Sequence, residues 1–77
     1  MHIDRELDVR GFSCPMPVRR SKQALDSMNP GEILKVISTD PVSVIDIDVF
    51  AFHNGHELLD QTEVDGEFHF FLKKSSS

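Results

Sequence analysis

The chain's one thiol, Cys14, lies in Cys14-Pro15-Met16-Pro17, preceded by Gly11 and followed by Arg19, Arg20 and Lys22. Read as the start of a helix, this segment puts Pro15 at the first helical position and Pro17 at the third. Neither proline breaks the ladder, because the first four N–H groups of a helix have no partner within it. Their rings set φ in advance and stiffen the turn. Cys14 then stands at the N-cap, where its sulfur meets the positive end of the helix and the thiolate is favoured. The prolines also remove N–H groups that would bond a thiolate, which leaves Met16 as the nearest backbone donor. A helix end at an exposed site shifts a thiol by less than about one pKa unit. The rest must come from Arg19 and Arg20 or from a docked partner, and activation by these cations would hold the thiol below its ordinary pKa.

Other chemistries fit less well. A thioredoxin-like oxidoreductase needs a second cysteine, and the sequence has one. A cysteine hydrolase needs a base, and His2, His53, His56 and His69 all lie away from Cys14 in sequence. His53-Asn54-Gly55-His56 has loosely metal-like spacing but straddles a helix stop, so these histidines read as surface or satisfied residues and no metal is assigned. A lone free cysteine is as often a small buried hydrophobe as a nucleophile. Its place ahead of Pro-x-Pro at a cationic helix start favours reactivity.

The elements that position this cysteine are legible from pattern. Glu6-Leu7-Asp8-Val9 alternates and ends at Gly11, a first strand. A helix follows to Met28, with Val18, Ala24, Leu25 and Met28 near one face and Arg19, Arg20, Lys22 and Asp26 turned away. Asn29-Pro30-Gly31 stops it, and Ile33 to Ile37 reads as a largely buried strand. Val42 to Phe52 alternates like a strand, but Asp40-Pro41 and Asn54-Gly55 border it as helix caps, and eleven residues between such caps favour a helix. In that helix Ile47 and Phe50 share one face, and Val42, Ile45, Val49 and Phe52 another. Glu57–Val64 and Glu67–Lys73 form a hairpin through Asp65-Gly66, the signal for a type I′ turn. Phe68, Phe70 and Leu72 point to one side of its second strand. Ser75-Ser76-Ser77 reads as a loose tail. The order βαβαββ predicts an α+β fold, a two-layer α/β sandwich in which a four-stranded mixed sheet carries both helices on one face. A right-handed crossover makes the first two strands parallel.

Seventy-seven residues suit one domain, 1–77, with a thin core. Chemistry is therefore expected near the surface. The net charge of −5 disfavours direct nucleic-acid binding, which needs a cationic face. No apolar run is long enough to span a membrane, the charged N-terminus is unlike a signal peptide, and a lone cysteine suits the reducing cytoplasm. Arg10, Arg19, Arg20 and Lys22 lie in a stretch without acids, whereas nine acids face three lysines from Asn29 onward. This asymmetry predicts a positive patch around Cys14 and an acidic face remote from it.

Taken together, Leu7-Asp8-x-x-Gly11-x-x-Cys14-Pro15-x-Pro17, Gly31, Asp40-Pro41, Asp46-Ile47-x-x-Phe50, Gly55-His56-x-Leu58 and Phe70-x-Leu72-Lys73 resemble the TusA/SirA/YedF sulfur-carrier proteins across nearly the whole chain. The resemblance implies a fold similar to the C-terminal domain of bacterial translation initiation factor three. It also implies a sulfurtransferase whose Cys14 accepts a persulfide sulfur, with no cofactor, from a cysteine desulfurase or rhodanese-like donor. The acceptor would be a protein serving tRNA thiolation, molybdenum-cofactor maturation or sulfur oxidation. Pro15 and Pro17 would hold the sulfur outward, and Arg19 and Arg20 would favour the anion and supply docking charge. The alternative is a non-enzymatic interaction or regulatory module that uses the same surface.

Overall fold

A computed structural model describes residues 1–76. The elements are β1 (Arg5–Val9), α1 (Met16–Asp26), β2 (Ile33–Ser38), α2 (Ser43–His53), β3 (Glu57–Val64) and β4 (Glu67–Lys73). The strands form one sheet in the order β1-β2-β4-β3. β1 and β2 are parallel, with Leu7 opposite Val36 and Val9 opposite Ser38. The pairs β2–β4 and β3–β4 are antiparallel. Composition accounts for the order. β2 and β4 are the most apolar strands and take the centre, while β1 and β3, rich in acids, form edges whose charges oppose pairing with other chains.

Both helices cover one face, α1 over β1 and β2, and α2 over β3 and β4. Between the layers Leu34, Val36, Phe70 and Leu72 meet Leu25, Ile47 and Phe50. In register, Leu34 faces Leu72 and Val36 faces Phe70, so the inward residues of the two central strands stand side by side. On the opposite face the Lys35 ammonium lies over the Phe71 ring, 5.9 Å from its centroid.

Helix α1 ends at Asp26, earlier than the apolar pattern predicts. Ser27 caps it, its N–H donating to the carbonyls of Ala24 and Leu25, and Met28 is buried from the turn beyond. Helix α2 confirms the reading from its borders, with a shift of register. Asp40 and Pro41 first form a tight turn in which the N–H groups of Ser43 and Val44 donate to their carbonyls, and helical residues begin at Ser43. The other end is a Schellman stop. Gly55 has φ +74, its N–H donates to the Phe52 carbonyl, and the His56 N–H reaches back to Ala51 at 2.9 Å.

The hairpin turn has φ +52 at Asp65 and +81 at Gly66, both in the region a type I′ turn requires. A Cβ at Gly66 would meet no atom within 4 Å, so any penalty there is conformational, not steric. Gly66→Val is expected to lower stability by about 1–2 kcal/mol, seen as a fall of several degrees in thermal melting for a chain of this size. An unchanged melting temperature would refute this account of the turn.

Candidate functional site

Parallel pairing of β1 and β2 brings the loops after both strands to the same end of the sheet. The β1–α1 loop carries Cys14, and the β2–α2 loop carries Thr39 and Asp40. Two hydrogen bonds join them. The Gly11 N–H donates to Thr39 Oγ1 at 2.9 Å, and the Cys14 N–H donates to Asp40 Oδ2 at 2.8 Å. Asp40 is itself held: its own N–H donates to Ser38 Oγ, and its Oδ1 accepts the Val42 N–H. One carboxylate thus holds the turn that leads into α2 and fixes the backbone of the cysteine.

Cys14 is exposed and free. It does not occupy the N-cap. Pro15 does, helical residues begin at Met16, and Pro17 is the second of them, so each proline lies one position earlier than expected. The peptide between Cys14 and Pro15 is cis. The Met16 N–H, the donor nearest the sulfur in sequence, is used by the Ser13 carbonyl at 2.9 Å. Pro17 is buried, and its carbonyl accepts from Ser21 Oγ, which anchors the first turn of α1 in the core. Pro15 lies at the surface beside the sulfur. The two prolines therefore divide the work, Pro17 as anchor and Pro15 as part of the site.

Beside Cys14 opens a groove of about 430 Å³ between the helices, with Pro15 and Val18 on one bank and Asp46, Val49, Phe50 and His53 on the other. It is mostly apolar. Asp46 lines this groove with Cys14, and its carboxylate is the main cause of a thiol pKa raised above its ordinary value; lost solvation and the charge of Asp40 act in the same direction.

The expectation of a thiol activated by cations is therefore corrected. The Arg20 guanidinium lies over the Phe12 ring, 5.5 Å from its centroid, on the side of α1 that faces Leu7. Arg10 is engaged by Asp8 and Glu67, and its guanidinium holds the Asp8 carboxyl down at about 2, chiefly by hydrogen bonding. Lys22 pairs with Asp26 four residues on. Arg19 is exposed and has no ion pair among the described residues. The basic stretch is real in sequence but does not converge on the sulfur. The acids are not all remote either. Asp60 and Glu63 do lie on the edge strand β3, but α2 turns Asp46 toward the thiol, and Asp40 reaches it from the preceding loop.

Asp40, Asp46 and His53 are the polar site residues that sequence reasoning did not assign. A signal was present, since Asp46, Phe50 and His53 recur at i, i+4 and i+7 on one face of α2. What the sequence did not contain was that this face turns toward α1. Of the four histidines only His53 lines the groove. His56 packs against Phe50 and accepts the Ser75 N–H, and burial lowers its pKa. No group of three or more His, Cys, Asp or Glu able to hold a metal ion occurs among the described residues.

A family model described as sulfurtransferase TusA matches residues 5–74. The chain belongs to this family of sulfur carriers. It is 50% identical over 73 residues to the sulfur carrier protein TusA of Allochromatium vinosum, covering 95% of this chain and 96% of that one. A putative sulfur carrier protein of Halobacterium salinarum is 46% identical, over 95% of this chain and 91% of the relative. The crystal structure of a SirA-like protein from Desulfitobacterium hafniense superposes with a TM-score of 0.81 at 25% identity, covering 92% and 97% of the two chains. The βαβαββ fold with its mixed four-stranded sheet is thus the fold of the family. No helix among the described residues is long and apolar enough to cross a membrane.

A carboxylate that holds the thiol protonated makes a specific prediction. The rate of iodoacetamide alkylation of Cys14 is expected to rise with pH to a midpoint above the ordinary thiol value of about 8.5. Asp46→Asn removes the charge that favours the neutral thiol, so the midpoint should fall and the rate at neutral pH should increase. Arg19→Ala with Arg20→Ala should leave the midpoint in place. The opposite ranking of the two variants would restore the arginines as the controlling charges.

Proposed function

We propose that Cys14 is the sulfur-bearing residue, and that the protein accepts a persulfide sulfur on it and passes that sulfur to an acceptor protein. The observation that carries this reading is the placement of the only cysteine. It is exposed at the mouth of an open apolar groove, on a backbone tethered by Asp40, where a partner's persulfide can reach it without entering a deep cleft.

In the reaction the Cys14 sulfur attacks the outer sulfur of a donor persulfide. The new bond joins Cys14 Sγ to that sulfur, and the donor's S–S bond breaks. The donor sulfur leaves as a thiolate and takes up the proton that Cys14 gives up. One thiol and one persulfide are consumed and one of each is formed, so no external oxidant or reductant takes part. Attack requires the thiolate, which Asp46 and Asp40 disfavour in the free protein, so a docked partner that offsets these carboxylates would promote the reaction. The partners are a donor of the cysteine desulfurase or rhodanese-like kind and an acceptor in a thiolation, molybdenum-cofactor or sulfur-oxidation route. Arg19 offers docking charge at the near end of α1. An exposed thiol that must stay free between transfers suits a reducing compartment such as the cytoplasm.

Incubation with a cysteine desulfurase and free cysteine, followed by intact-mass measurement, tests the reading. The wild-type protein is expected to gain one sulfur atom, lost again on reduction. Cys14→Ser should gain none, with an unchanged melting temperature because the side chain is exposed. A wild-type protein that never gains sulfur would be a binding module only.

A further inference from the structure

Helix α2 is apolar on two sides. Ile47, Phe50 and Ala51 enter the core, whereas Val42, Ile45, Val49 and Phe52 form a second stripe at i, i+3, i+7 and i+10 that no other element covers. Their exposures are 51%, 68%, 48% and 78%, so they are surface residues and not rim atoms of the core. Four large apolar side chains in line on one short helix make a contiguous patch about 15 Å long, of the kind that marks an interaction surface. The patch is continuous with the cysteine site, since Val49 lines both the groove beside Cys14 and the hollow around Phe52, as does His53.

The charges bordering the stripe select its occupant. Asp46 flanks it on the side of Cys14, Asp48 flanks the other side, Asp40 lies just before its first residue, and α2 contains neither lysine nor arginine. A second copy packed on the stripe would crowd the Asp46 and Asp48 carboxylates of both chains along one seam. An anionic lipid surface would meet the same acids. A partner with cations on both borders of an apolar ridge meets neither penalty.

We propose that the outer face of α2 is the docking site for an amphipathic helix of a partner protein, seated along Val42–Phe52 with lysine or arginine bordering its apolar side, so that one cationic edge meets Asp46 beside Cys14. This rests on the sulfur-carrier reading in that the partner is a donor or acceptor of Cys14 sulfur. Pairing of two helices buries apolar stripes at i, i+3 and i+7 against each other, the spacing that α2 offers. A cation at Asp46 offsets the carboxylate that keeps the thiol protonated, with Asp40 and His53 the other titratable groups at that spot. Docking and activation of the thiol thus become one event.

The test uses the full chain, isotope-labelled for NMR, titrated with a Leu/Lys amphipathic peptide of about 15 residues. Saturable shifts centred on Val42, Ile45, Val49 and Phe52, weakened by salt, are expected. They should be absent with a Ser/Lys peptide of equal charge and with a Leu/Glu peptide. Ile45→Lys with Phe52→Lys should weaken binding by about tenfold or more. Shifts centred elsewhere, equal binding of the Ser/Lys peptide, self-association through α2 in sedimentation, or stronger binding to anionic vesicles than to the Leu/Lys peptide would each overturn the proposal. The wild-type shift map decides the matter even if the double variant fails to fold. Loading of Cys14 from inorganic polysulfide, read by mass, separates the two readings. Loading without the shift map removes the docking site alone, and the shift map without loading removes the sulfur chemistry alone.

Discussion

The Asp40 carboxylate accepts two backbone N–H groups from different loops, that of Cys14 through Oδ2 and that of Val42 through Oδ1. The location of the sulfur relative to α2 depends on this bridge. Without it the loop from Gly11 to Pro15 would be tied to the neighbouring loop by the Gly11–Thr39 bond alone. The bridge is available because β1 and β2 are parallel, so the chain leaves both strands at the same end of the sheet. A charged acceptor makes hydrogen bonds roughly twice as strong as a neutral one. At an exposed site the two bonds serve position more than stability.

The same geometry decides the electrostatics of the thiol. With α1 starting at Met16, the helix end meets the Ser13 carbonyl through the Met16 N–H and not the sulfur. Of the guanidinium groups in the basic stretch, that of Arg20 lies over Phe12 and that of Arg10 is held by Asp8 and Glu67, while Arg19 is exposed and has no ion pair among the described residues. Asp46 is left as the main influence on the thiol, and it favours the protonated form. A carrier gains from such a resting state. A neutral thiol is a poor nucleophile toward stray oxidants and disulfides, and in the proposed mechanism it would become competent when a partner changes its surroundings. The cost of this arrangement, on the proposed mechanism, is that activation would have to be supplied by the complex.

Helix α2 illustrates how a thin core shapes function. A chain this short cannot enclose every apolar side chain, and α2 is given more of them than one face can bury. Its inner face closes the core over β3 and β4, and its outer face continues the apolar groove at Cys14. The site and the exposed stripe are therefore two parts of one surface.

Much of the architecture was determined by the sequence alone. Period-2 and period-3.6 patterns, the Asn54-Gly55 stop and the Asp65-Gly66 turn are local features, set by φ preferences and by backbone groups within a few residues, and they specify βαβαββ without reference to the rest of the chain. The prominence of Cys14 ahead of Pro15 and Pro17 is equally local. Tertiary structure alone decided the strand order β1-β2-β4-β3, the use of Asp40 as a bridge, and the side of α1 from which Arg20 turns toward Phe12. It also brought Asp46, thirty-two residues from Cys14, into the same groove as the thiol. These outcomes depend on which helix face turns toward which neighbour. Helical periodicity shows that residues share a face, but only packing against the sheet fixes where that face points.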